Sequence, residues 1–99
     1  MTDLCHEMEQ LGKAMSNANR ARILEALLTG SKTVNDVVKE VKLSQPLVSQ
    51  NLKVLKSANL VTDERRGQEV QYTVNVRHMA DILKRLSSSV RQCPKFTNK

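Results

Sequence analysis

Residues 43–61 read LSQPLVSQNLKVLKSANLV, and how this stretch folds decides how the whole chain folds. Leu43 and Ser44 form a turn with Ser44 as N-cap, and Pro46 falls in the first turn of the helix that follows, where its missing N–H does little harm. Leu47, Val48, Leu52 and Leu55 share one face of that helix, while Gln45, Ser49 and Lys53 lie at i, i+4 and i+8 on the other, with Gln50 beside them. A helix that buries one face on its own domain and offers Gln, Ser and Lys on the other has the chemistry to enter a DNA major groove. Gln pairs with adenine in bidentate fashion, Ser reaches base or phosphate, and Lys reaches guanine or phosphate. Base contacts come mostly from the first turns of such a helix, which selects Gln45, Pro46, Ser49 and Gln50; Pro46 offers only apolar contact, as to a thymine methyl. The plainer alternative is an amphipathic helix whose polar face is merely solvated.

The residues that follow weigh against that alternative. TDERRG and QEVQYTV read as a charged hairpin: Val70, Tyr72 and Val74 alternate with polar residues, Gly67 supplies the turn, and residues 60–65 are the partner strand. Arg65 and Arg66 beside Gly67 place two guanidinium groups where a wing meets the DNA backbone or minor groove, although exposed hairpins also carry arginines for solubility. The expected DNA-facing set is Ser44, Gln45, Pro46, Ser49, Gln50 and Lys53 on the helix, with Arg65, Arg66 and Gln68 on the hairpin.

Upstream, Leu4, Met8, Leu11 and Met15 form one stripe of a helix over residues 3–15. Ser16 and Asn17 interrupt it and cap a second helix over 18–29, with Ala21, Leu24, Leu27 and Leu28 facing inward and Gly30 at its end. Thr33 followed by Asp36 is a capping-box pattern, opening a short helix in which Val34, Val37, Val38 and Val41 repeat at helical spacing. Downstream, Met79, Ile82/Leu83, Leu86 and Val90 mark a last helix over 76–91, stopped by Pro94 before a loose tail over 95–99. The fold predicted is mainly α with a small β-hairpin wing, ordered α-α-α-α-β-β-α. It is one winged helix–turn–helix domain over 1–99, with the helix–turn–helix at 33–58 and the wing at 60–74.

Composition agrees. A chain of 99 residues is one small domain, burying roughly 65% of its unfolded surface, so a second subunit would help complete its core. Sixteen Lys plus Arg against ten Asp plus Glu give a net charge of +6, which favours a polyanionic partner. Tyr72 and Phe96 are the only aromatic residues, which argues against single-strand or RNA modules that stack bases on exposed rings. No apolar run approaches the ~18 residues needed to span a bilayer, and no signal-peptide pattern opens the chain, so a cytoplasmic location is expected. No nucleophile–base pair, phosphate loop or paired catalytic acid is evident, which leaves a protein-docking winged helix as the main rival to DNA reading.

With these residues in place, the chain resembles the ArsR/SmtB family of small dimeric winged-helix repressors. The matching positions are Asn19, Arg20, Arg22, Ile23 and Leu24 on the second helix and Leu43, Ser44, Gln45, Val48, Ser49, Leu52 and Leu55 through the reading helix. Leu60, Val61, Arg66, Gly67, Gln68 and Tyr72 match through the wing. The resemblance implies a homodimer joined by the first and last helices, a palindromic double-stranded operator, and repression relieved by an inducer. Family members often bind metal at a Cys-x-Cys motif before the reading helix, but that helix reads TVNDVVKEV and has no thiolate. A second family site lies on the last helix. Of its ligands only His78 is present, since Val76, Ser89 and Gln92 occupy the other positions, and one imidazole cannot hold zinc or nickel. His78 is then expected to be a surface or interface histidine. Cys5 and Cys93, on the two helices such dimers bring together, are the candidate sensors, as a thiol switch for oxidant or reactive sulfur or as soft ligands for a thiophilic metalloid such as As(III). Related thiol sensors carry a cysteine on the second helix, where this chain has Glu25 and Ala26, and incidental cysteines are the alternative.

Overall fold

Side chains close the starts of most helices. In the computed structural model, which describes residues 3–92, α1 (Leu4–Met15) begins after Asp3, whose side chain makes no capping bond. In α2 (Ala18–Leu27) the Asn17 side chain accepts the N–H of Arg20. In α3 (Val34–Val41) the capping box is complete: Thr33 Oγ1 accepts from the Asp36 N–H at 3.1 Å and Asp36 Oδ2 accepts from the Thr33 N–H at 3.2 Å. Ser44 Oγ accepts the Leu47 N–H at the start of α4 (Gln45–Ser57). Asn75 does the same for His78 at the start of α5 (Val76–Gln92), a cap that sequence reading had not singled out.

Between α4 and α5 lie β1 (Val61–Arg66) and β2 (Glu69–Val74), an antiparallel pair turned at Gly67, which sits at φ +65° where glycine carries no Cβ penalty. The order α-α-α-α-β-β-α is the winged helix–turn–helix expected from the sequence. The wing is tied to the helices at its other edge. Lys32 and Tyr72 exchange N–H···O bonds of 3.0 and 2.8 Å, so β2 is flanked by β1 on one side and by the segment entering α3 on the other.

The core is aliphatic. Ile23, Leu27, Val37, Val48, Leu52, Leu55, Leu60 and Val61 are fully buried, with Ile82 of α5 buried as well. Three expectations change. Helix α2 stops at Leu27, two residues early, and Leu28 is 63% exposed; its N–H turns back to Glu25 O, and Ile23 and Ala26 take inward places instead. Leu47 is only half-buried, while Asn51 is buried. On α1 and α5, Met8, Met15 and Leu83 are exposed although their spacing belongs to apolar stripes, because nothing among the described residues covers that side. Val90, Cys93, Pro94 and the expected tail lie outside the residues whose side chains are described. No helix among the described residues is long and apolar enough to cross a membrane.

The turn between α3 and α4 passes through Lys42 at φ 60°, a left-handed conformation that costs a side-chain-bearing residue about 1–2 kcal/mol. Lys42→Gly should therefore raise stability by about 0.5–1 kcal/mol in urea unfolding. Leu52→Ala should lower it by about 2–5 kcal/mol, whereas Leu28→Ser should change it by less than about 0.5 kcal/mol. The Thr33 N–H, and then the Thr33 hydroxyl, hold the Asp36 carboxyl below its ordinary pKa. A depressed carboxyl adds stability that is present above its unfolded value and lost as pH falls through the folded one. Asp36→Asn is thus expected to flatten the acid limb of the stability profile.

Candidate nucleic-acid interface

Helix α4 is seated by Val48, Leu52 and Leu55, which are fully buried, against α2, α3 and β1. This leaves Ser44, Gln45, Pro46, Gln50 and Lys53 exposed and Ser49 half-buried, so the polar face expected from the sequence stands in solvent as one strip. At the start of the strip, Gln45 and Gln68 line a single cleft of about 260 Å³ together with Thr33, Asn35 and Val70. The Lys32–Tyr72 bridge brings the wing against the first turn of α3 and makes this juxtaposition. Asn35 was absent from the expected set. Its distance along the chain from Gln68 gives no hint of their shared cleft.

The two wing arginines are not equivalent. Strand residues alternate faces, and the register opposes Arg65 to Val70 and Arg66 to Glu69. Arg65 thus shares the face of Val70, Tyr72 and Val74, while Arg66 shares the other with Glu64 and Glu69. Arg66 Nη2 lies 3.4 Å from Glu64 Oε1, and Lys56 Nζ of α4 lies 2.9 Å from Asp63 Oδ2, holding the wing to the end of α4. Arg65 has no ion pair among the described residues. With Asp63, Glu64 and Glu69 beside two arginines, the wing is mixed in charge rather than basic.

The terminal helices pack against each other through a partly buried ion pair. Arg85 of α5 bonds Glu7 of α1, and Arg85 Nε also lies 3.1 Å from Asp81 Oδ2. Cys5 is exposed on α1, and Cys93 lies outside the described residues. His78 is half-buried and faces a cleft of about 280 Å³ that His6, Gln10 and Asn59 also line. Among the described residues no three His, Cys, Asp or Glu side chains gather as a metal site.

Two arginines of the second helix are structural ties. Arg22 Nη2 donates to Val41 O at 2.6 Å, closing the end of α3. Arg20 reaches both α1 and α4.

Comparison with known proteins places this geometry among bacterial regulators. Residues 17–63 match the family model "Bacterial regulatory protein, arsR family". The transcriptional repressor SdpR of Bacillus subtilis is 34% identical over 76 residues, covering 77% of this chain and 84% of SdpR. The solved structure of HlyU from Vibrio cholerae is 34% identical, covers 87% of this chain and 97% of that one, and superposes with a TM-score of 0.70. The homodimeric winged helix–turn–helix DNA-binding domain Mb0332 of Mycobacterium bovis shares the fold at a TM-score of 0.70 and 24% identity, covering 95% and 94%. Other relatives are longer, and this chain spans 55% of one of them.

Removing the carboxylate that holds Arg66 should free that guanidinium for phosphate. Glu64→Gln is expected to strengthen binding to a generic DNA duplex several-fold at low salt and to steepen the slope of log affinity against log salt by about one. An unchanged slope in a salt titration by fluorescence anisotropy would show that Arg66 makes no phosphate contact.

Proposed function

We propose that this chain, which belongs to the arsR family of bacterial regulatory proteins, is a homodimeric repressor that reads a palindromic double-stranded DNA operator in the cytoplasm. The observation that carries this reading is the polar strip of α4 beside the wing, with Ser44, Gln45, Gln50 and Lys53 exposed, on a helix seated by fully buried Val48, Leu52 and Leu55. Ser44, Gln45, Pro46, Ser49, Gln50 and Lys53 form the groove-facing set, and Arg65, Arg66 and Gln68 grip the backbone beside it. A docking module would need an apolar strip on this face. Here the strip is amide, hydroxyl and ammonium.

Dimerisation is assigned to α1 and α5, whose exposed Met8, Met15 and Leu83 lie on the helices joined by the Glu7–Arg85 pair. Two copies then present two α4 helices to half-sites about one helical turn apart. Repression as the sign of control follows the name of the SdpR relative. HlyU is named a transcriptional activator, and a reporter placed behind the selected operator separates the two, repression requiring higher output when this protein is deleted.

Release of DNA is assigned to Cys5 and Cys93, supported by the exposure of Cys5 on the proposed dimer helix. Two thiols joining as a disulfide lose two electrons and two protons to an oxidant such as hydrogen peroxide. Operator affinity should fall on peroxide treatment, and equal loss in a Cys5→Ser/Cys93→Ser double variant would remove the cysteines from the mechanism. Titration with arsenite in place of peroxide tests the metalloid form of the same idea.

The central test is selection of duplexes from a randomised library, followed by a salt series. A palindromic consensus is expected, with affinity falling by orders of magnitude between about 50 and 200 mM salt if several phosphates are contacted. Gln45→Ala or Gln50→Ala should relax base preference by about 1–3 kcal/mol at one position per half-site. Arg65→Ala should lower affinity across all sequences, and by more than Arg66→Ala, because Arg66 already has a carboxylate partner. Leu83→Glu should yield monomers in sedimentation and weaken operator binding. Absence of any duplex binding at low salt would leave the docking reading.

A further inference from the structure

Among the described residues one polar side chain is buried with the hydrophobic core, and it sits on α4. Asn51 is 4% exposed, between Gln50, which faces solvent, and Leu52, which faces the core. Its Oδ1 accepts from Arg20 Nη1 at 3.2 Å and its Nδ2 donates to Leu47 O at 3.0 Å. A guanidinium only donates and a carbonyl only accepts, so both ends of the amide are assigned without ambiguity. The rest of the Arg20 fork goes elsewhere. Nε donates to Ala14 O at 3.1 Å and Nη2 to Lys13 O at 3.2 Å. Those carbonyls belong to the last turn of α1, where Lys13 O also accepts from the Ser16 N–H and hydroxyl and where a cation is favoured by the helix dipole. One planar side chain therefore closes α1 and grips α4 at the same time, while its own backbone N–H is held by Asn17.

We propose that Arg20 and Asn51 are positioning residues for DNA reading, fixing the rotation of α4 about its own axis relative to the last turn of α1; this rests on the DNA-reading function proposed above. The apolar seat of α4 cannot do this alone. Burial of Val48, Leu52 and Leu55 is non-directional and tolerates small rotations and slides. A forked, charge-assisted hydrogen bond is directional, and it acts at a residue adjacent to Gln50 and two positions from Ser49. Base-edge hydrogen bonds need their donors placed to within fractions of an ångström, so a rotation that the core would tolerate is enough to spoil them. The same fork makes α1, the proposed dimer helix, part of the frame that sets the reading angle.

The test compares specific with non-specific binding. Wild-type protein selects a duplex from a randomised library, and each variant is then titrated against that duplex and against poly(dI-dC), with thermal melts and sedimentation recorded in parallel. Asn51→Leu replaces the buried amide with an apolar side chain and so removes the acceptor. It is expected to stay folded and dimeric, to bind poly(dI-dC) as wild type does, and to lose on the order of tenfold in affinity for the selected duplex, about the cost of one base contact. Asn51→Asp restores an acceptor for Arg20 and is expected to recover the ratio of specific to non-specific affinity even if its added charge weakens both. Should Asn51→Leu fail to fold, Arg20→Lys carries the test, since an ammonium cannot span three acceptors in one plane. A variant that is folded and keeps the wild-type ratio overturns the positioning role, because a purely structural residue would move the melting temperature and not the ratio. If wild type selects no duplex at all, the DNA-reading function itself fails and this proposal with it.

Discussion

Helix α4 has to be held from one side only, and most of the protomer is arranged around that constraint. Val48, Leu52 and Leu55 have no solvent exposure, and each such side chain contributes about 1.5–3 kcal/mol of gross burial energy. Helices α2 and α3 and the first residues of β1 supply the apolar wall against which they sit. With aromatic residues nearly absent, that wall is built from Leu, Ile, Val and Ala, which makes the fit a matter of many small contacts. The Thr33 cap fixes where α3 begins, and the left-handed Lys42 and the Ser44 cap fix where α3 ends and α4 begins. The wing is fastened twice, by Lys32–Tyr72 pairing along its edge and by Lys56–Asp63 at the end of α4.

Much of this was legible in the sequence, for reasons that are local. Helical spacing of valines in α3, alternation of Val70, Tyr72 and Val74, and the Thr33, Ser44 and Gly67 signals each depend on residues a few positions apart. They placed the elements to within one or two residues. What could not be read was long-range. The bonds from Arg20 to Asn51 and from Arg22 to Val41 span 31 and 19 residues, and the Glu7–Arg85 pair spans 78. Leu28 was misplaced because helical periodicity assumes the helix continues, and this one had already ended. Met8, Met15 and Leu83 show the opposite limit: the periodicity was right, but it marked faces that the protomer itself does not bury.

Charge behaves the same way. The net charge of +6 pointed to a polyanionic partner, yet the wing tip carries three carboxylates beside its two arginines. Exposed ion pairs such as Arg66–Glu64 are weak, typically below about 1 kcal/mol. Such a pair exchanges readily for a phosphate, but it lowers what the exchange gains. Lys53 and Lys56 on α4 and Arg77, Lys84 and Arg85 on α5 carry further positive charge, with Lys56 and Arg85 themselves paired to carboxylates.

The residues that seat α4 and those that stand in solvent are disjoint sets on the same thirteen-residue helix. Exposed positions such as Gln45, Gln50 and Lys53 can be replaced without opening a cavity, while Val48, Asn51, Leu52 and Leu55 cannot. After a gene duplication, one copy of such a protein can drift toward a new target through a handful of surface substitutions that cost the fold almost nothing. The architecture therefore separates heritable change in what is recognised from heritable change in whether the protein survives, and lineages built on it are free to multiply.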